Sequence, residues 1–203
     1  MRLYTLYKQL LKKHGPQGWW PTRKYGYHPS NKTRTLSEEE KLEICVGAIL
    51  TQNTSWRNVE KALDSLFAAK AMSLHKLAAM PRARLEKLIR SSGFYRQKAE
   101  RLQLFCRHVL HNHSSFSAMF KKKLEPLREE LLSLKGIGPE TCDSMLLYAG
   151  RKAIFVIDAY TKRLCKPDGD YHELQQMFHE QLPKRHEVYN EMHALMVKEG
   201  KKS

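Results

Sequence analysis

Residues 134–141 read LKGIGPET. Helical patterns over roughly 124–133 and 139–149 flank the stretch, so it turns one helix into the next. Pro139 suits the first turn of the second helix, where a missing N–H costs nothing. Gly136 and Gly138 permit positive φ and remove side-chain bulk, so another molecule can approach the backbone closely. The second helix then offers unpaired first-turn N–H groups, which suit a phosphate. From Ile154 the chain continues IFVIDAYTKRL, a short apolar run interrupted by a lone acid, Asp158.

The rest of the chain gives this turn a context. At 203 residues there is enough chain for one large domain or two small lobes. Its 36 Lys and Arg against 21 Asp and Glu leave a net charge of +15, which favours polyanions, nucleic acid first among them. A helix–GxG–helix turn on such a protein reads as a grip on the DNA backbone, a contact that positions without reading sequence. A plain helical hairpin is the other reading. The N-terminal MRLYTLYKQLLKKHG is an amphipathic helix rather than a signal peptide. No apolar run approaches the ~20 residues of a membrane span. Cys45, Cys106, Cys142 and Cys165 are far apart and form no CxxC, so core packing in a reducing interior is expected for all four.

Helical periodicity dominates, and the fold class is all-α. Ser37 and Glu40 form a capping box before Leu42, Val46, Ile49 and Leu50. Further apolar stripes run through Val59, Leu63, Leu66 and Phe67, and through Leu85, Leu88 and Ile89 up to Gly93. Helices follow over 95–111 and at about 159–165, 171–181 and 186–199. Ile154–Ile157 alone looks like a strand, too isolated to make a sheet. Residues 14–36, rich in Gly, Pro and aromatics, lack helix signals. Trp19 and Trp20 argue against disorder there, so a functional segment is expected.

LKGIGPETCDSMLLYA followed by VIDAYTKRL resembles the helix-hairpin-helix, Gly/Pro-rich loop and Asp signature of the HhH-GPD DNA glycosylase superfamily, which includes endonuclease III. ILTQNTSW (49–56), with Gln52 and Asn53, resembles that family's strand-inserting turn, and SGFYRQKAERL (92–102) also matches. The likeness spans about residues 18–200. It implies two helical lobes with the active site in the cleft between them. A six-helix barrel would cover 41–152 and end in the hairpin, and 1–40 with 153–203 would form the second lobe. Asp158 stands at the position of the catalytic aspartate. Its place before a helix also suits an N-cap, where backbone N–H groups and the helix dipole favour the ionised form. Such a carboxylate can stabilise an oxocarbenium-like sugar or orient water toward C1′.

Members that also cut the strand carry a nucleophilic lysine where this chain has Glu140, beside Thr141. A carboxylate cannot form a Schiff base, so a monofunctional glycosylase is implied. The adenine-mismatch branch places its acid where this chain has Gly47. Bases that already leave easily remain, above all alkylated purines such as 3-methyladenine. A flat cationic base suits electron-rich rings, and Trp19, Trp20, Pro21 and Trp56 match the pocket of the 3-methyladenine glycosylase III subgroup. Gln52 matches the residue that fills the gap left by a flipped base. Lys135, Gly136, Gly138, Glu140 and Thr141 would meet DNA. The backbone carbonyls of Leu132, Leu134 and Ile137 would hold a monovalent cation, if the hairpin binds one as relatives do. In many relatives a four-cysteine iron–sulfur segment follows; this chain stops at Ser203, where that segment would begin, so either the protein lacks a cluster or the chain is cut short, and no iron–sulfur cysteines are present in it. The expected partner is double-stranded DNA with damaged bases, bound by a monomer in the cytoplasm at the nucleoid. An endonuclease III-like enzyme acting on oxidised pyrimidines or mismatched bases, or a non-catalytic DNA-binding module, are the alternatives.

Overall fold

A computed structural model describes residues 2–165 and 169–201. Among them the regular structure is helical, and no helix is long and apolar enough to cross a membrane. The chain divides into two compact units, Leu36–Met145 and the combination of Met1–Thr35 with Leu146–Ser203.

The central unit comprises α2 (Glu38–Leu50), α3 (Trp56–Ala68), α4 (Leu74–Ala79), α5 (Arg82–Leu88), α6 (Tyr95–Asn112), α7 (Phe116–Lys121), α8 (Leu124–Leu132) and α9 (Pro139–Ser144). The expected capping box opens α2: Ser37 accepts from the Glu40 N–H and Glu40 accepts from the Ser37 N–H. Val46, Ile49, Leu50, Val59, Leu66, Leu77, Leu85, Phe105 and Leu127 bury their side chains in its core. The hairpin helices α8 and α9 are joined by an ion pair. Arg128 Nε lies 2.7 Å from Asp143 Oδ1 and its Nη2 3.1 Å from Oδ2, with Asp143 fully buried. A paired, bidentate geometry is what makes a buried carboxylate tolerable. Beyond α9 the helix widens to π geometry over Met145–Ala149.

The second unit comprises α1 (Leu3–His14), a 3₁₀ turn over Pro29–Lys32, α10 (Ala159–Cys165), α11 (Tyr171–Gln181) and α12 (His186–Gly200). Phe155 stacks on Phe178 at 4.0 Å and meets Tyr189 edge-on, which centres this core. Ile154–Ile157 is buried and extended but pairs with no strand among the described residues. Side chains satisfy its backbone instead. His179 accepts from the Phe155 N–H, Gln175 donates to the Phe155 carbonyl, and the Tyr171 hydroxyl accepts from the Ile157 N–H. A buried backbone must find partners, and here α11 supplies what a sheet would have.

The segment 14–36 is ordered by anchors of the same kind. Asn31 Nδ2 donates to the carbonyls of Gly18, Trp20 and Gly26. Arg151 donates to the carbonyls of Asn31, Lys32 and Arg34. Buried Glu191 of α12 accepts from the Gln17 N–H and pairs with Lys32. Of the cysteines, Cys45, Cys106 and Cys142 are buried, as expected. Cys165, at the end of α10, is only half-buried, a departure from the core packing expected of it.

Candidate active site

In the second unit, Asp158 is the last residue before α10. Its carbonyl accepts the Lys162 N–H and its Oδ1 accepts the Thr161 N–H at 2.7 Å, the geometry of an N-cap. The Asp158 side chain is only 11 % exposed. Its other oxygen, Oδ2, faces His193 Nε2 of α12 at 3.4 Å. Burial pushes the Asp158 pKa up, but the His193 charge and hydrogen bond, with the Thr161 bonds, outweigh it and hold the group below its ordinary value. The carboxylate is therefore ionised in a largely dry site.

His193 is oriented from behind by Tyr148, whose hydroxyl hydrogen-bonds Nδ1. Burial and the charges of Asp158 and Glu191 push the tyrosine pKa well up, so it keeps its proton. Trp20, buried, meets the Tyr148 ring edge-on at 5.2 Å. Trp19 is half-buried, with its ring 5.4 Å from Trp20 and 5.6 Å from Tyr27, and Pro21 is buried. Trp19, Trp20, Pro21 and Asp158 thus belong to one unit, joined through Tyr148 and His193. Neither of these two linking residues carried a sequence signal: both lie in apolar helical runs and resemble core positions.

The central unit holds a second constellation, the hairpin and the 51–54 turn. Gln52 Nε2 donates to the Gly136 carbonyl at 3.0 Å and to Thr141 Oγ1 at 2.9 Å, and its Oε1 accepts from Arg101 at 2.5 Å. Gln52 is therefore preorganised against the hairpin rather than loose in a surface loop. Asn53 beside it is exposed, with φ +52°. Arg101, missed as a functional residue, lies within the 92–102 stretch that resembles the family.

Gly136 needs to be glycine twice over. Its φ is +84°, and a Cβ there would strike the Arg101 side chain at 2.3 Å. Gly138 does not use the positive φ open to it: it is extended at φ −90°, and a Cβ on it would meet nothing described within 4 Å. Nothing inside the protein requires a glycine there. Lys135 is exposed and pairs with Glu100 at 2.8 Å, while Glu140 is exposed in the first turn of α9 and Thr141 is buried. The Leu134 carbonyl accepts the Ile137 N–H and retains a second lone pair. With Leu132 and Ile137 it offers hard oxygen donors, the class that suits an alkali cation. Trp56 is the first residue of α3, half-buried, and its indole N–H donates to Glu60 at 2.9 Å.

Lys98, within the same 92–102 stretch, braces this turn from inside. It is fully buried, donating to the Leu50 carbonyl at 2.8 Å and the Ser92 carbonyl at 2.6 Å. Burial and the nearby Arg101 charge lower its pKa from 10.5 to about 8. Between those values the folded lysine is neutral while the unfolded one is charged, so the unfolded chain binds more protons. This group's contribution to stability is thus full above 10.5 and lost as pH falls through about 8. Urea denaturation is expected to show that rise in the wild type and a flatter profile in Lys98→Met.

With this geometry in place, comparison with known proteins is specific. Residues 46–185 match the model of the HhH-GPD superfamily of base excision DNA repair proteins. A Methanocaldococcus jannaschii protein with a provisional DNA repair glycosylase name is 40% identical over 98% of this chain and 87% of its own length. The crystal structure of H. pylori 3-methyladenine DNA glycosylase (MagIII) bound to 1,N6-ethenoadenine superposes with a TM-score of 0.82 at 29% identity, covering 100% of this chain and 98% of that one. A trapped endonuclease III–DNA covalent intermediate shares the fold at 20% identity, with a TM-score of 0.71 over 97% of this chain and 85% of that one. The chain belongs to the HhH-GPD superfamily of base excision DNA repair proteins, as a DNA glycosylase of that family.

Proposed function

We propose that this protein is a monofunctional glycosylase that flips an alkylated purine of the 3-methyladenine type out of double-stranded DNA and releases the base by hydrolysis. The observation that carries this reading is Asp158: a buried carboxylate, kept ionised by His193 and the start of α10. As the glycosidic bond breaks, positive charge develops on the sugar, and a fixed anion in a dry site stabilises it. The same carboxylate orients water toward C1′. An alkylated purine already carries positive charge and leaves without a strong acid. Trp19, Trp20 and Trp56 offer rings for a flat cation. The H. pylori relative, bound to a modified purine, supports that substrate class.

The hairpin supports a grip on the DNA backbone. Among the described residues nothing lies within 4 Å of a Cβ on Gly138, and this open space suits a phosphate approaching the first turn of α9, with Lys135 nearby on the surface. A monovalent cation on the Leu132, Leu134 and Ile137 carbonyls would supply positive charge to the same phosphate. The protein would act as a monomer, on nucleoid DNA in the cytoplasm.

Glu140, exposed at the position of the family's lysine nucleophile, supports base release without strand cleavage. Borohydride added during turnover is expected to trap no protein–DNA adduct. A covalent adduct would instead favour an endonuclease III-like enzyme. Gln52→Ala is expected to slow excision from duplex DNA roughly tenfold, about 1.4 kcal/mol of the flipping cost. The effect should shrink on single-stranded substrate, where no stack has to be refilled. Equal slowing on both strand forms would remove Gln52 from that role.

A further inference from the structure

Where α6 ends against α8, three side chains converge that base release does not use. His108 stands in the last turns of α6, His113 caps that helix, and Glu130 lies in α8. His108 Nε2 is 2.7 Å from Glu130 Oε1, and His113 Nε2 hydrogen-bonds the same oxygen. One ligating atom from each residue lies within 4.8 Å of the other two. The five-residue spacing of the histidines is not that of a helix face. It arises because α6 stops at Asn112, His113 leaves helical geometry at φ −133°, and Ser114 turns the chain with φ +60°. The two imidazoles are thereby brought to 5.7 Å between ring centroids. The side chains of His108, His113 and Glu130 are 17%, 6% and 17% exposed, sheltered but reachable from solvent.

We propose that His108, His113 and Glu130 form a binding site for a late first-row divalent cation of the Zn²⁺ type, with water completing the coordination. Two imidazoles and a carboxylate are the donor set that such ions select and that Mg²⁺ and Ca²⁺ do not. Ligand distances of about 2.0–2.2 Å place neighbouring donors of a tetrahedron about 3.4 Å apart. The nitrogens therefore have to withdraw from Oε1 by up to about 1 Å.

Neighbouring side chains define what binding must overcome. Asn112 Nδ2 lies 3.0 Å from His108 Nδ1. It is exposed and free to turn its carbonyl toward an Nδ1–H once Nε2 holds the ion, the outer contact typical of metal-bound imidazole. Lys122 Nζ sits 2.5 Å from Glu130 Oε2 and, at 45% exposed, competes with any cation for this carboxylate. A cluster serving only to pair one acid with three bases would gain nothing from the loss of Lys122. A metal site would gain affinity.

The test is titration of untagged, chelator-stripped full-length protein with Co²⁺, followed by Zn²⁺ displacement. One Co²⁺ per chain is expected, with the d–d absorption of a tetrahedral ion that Zn²⁺ removes. Zn²⁺ at a hundred times its Kd should raise Tm by roughly 5–10 °C. His113→Ala and Glu130→Gln, checked for native circular dichroism, should weaken binding by more than roughly a hundredfold. His108→Ala replaces either variant that fails to fold. Lys122→Ala should tighten binding. No stoichiometric ion in the wild type overturns the proposal, as does an affinity unmoved by the ligand substitutions. So does one that stays level or falls when Lys122 is removed.

Discussion

Asp158→Asn is expected to lower the rate of base release by roughly 10²–10⁴-fold, with duplex affinity changed no more than about threefold. The substitution isolates charge from structure. Asparagine caps helices as well as aspartate does, so its side-chain oxygen can still accept the Thr161 N–H at the start of α10. What disappears is the anion facing the developing positive sugar and the charge that His193 balances. Single-turnover release from a duplex with one alkylated purine, beside a binding titration of the same duplex, separates the two effects. A rate within tenfold of wild type would show that the catalytic charge lies elsewhere.

Arg128→Ala is expected to destabilise the central unit by about 3–5 kcal/mol, because it strands a fully buried Asp143 without its bidentate partner. The pair joins α8 to α9, so the hairpin should loosen first and DNA affinity fall with stability. Urea denaturation measures the loss. Replacing both residues together by apolar ones of similar volume should recover much of it, since neither charge is then left unpaired. A single substitution costing under about 1 kcal/mol would mean that solvent reaches the carboxylate.

What could be read from the sequence was what local rules control. The Ser37–Glu40 box, the helices on either side of LKGIGPET and the N-cap at Asp158 all depend on residues three or four apart, and each took its expected place. The segment 14–36 reads as ordered from its paired tryptophans, but what holds it in place does not. Its order comes in part from Arg151 and Glu191, more than a hundred residues away, which a local window does not contain. The same holds for Gln52, whose partners Arg101, Gly136 and Thr141 meet it only in the folded unit. Ile154–Ile157 looked like a strand because buried extended backbone selects apolar, β-branched residues whoever supplies its hydrogen bonds. The two glycines of the hairpin look alike in sequence, yet only Gly136 is required by the backbone and by packing. Of the candidate site, Asp158, Trp19, Trp20 and Pro21 are legible in the sequence. The His193–Tyr148 support behind it has the composition of a core and was invisible until the helices were in place.

The central claim is removal of an alkylated purine without strand cleavage. Its most direct measurement is single-turnover assay of one end-labelled duplex carrying, in parallel versions, a methylated purine, an oxidised pyrimidine or uracil. Each reaction is resolved with and without a final alkaline step. Release of the methylated purine is expected ahead of the others, with the strand intact until alkali opens the abasic site. Cleavage before alkali, or faster release of the oxidised pyrimidine, would contradict it.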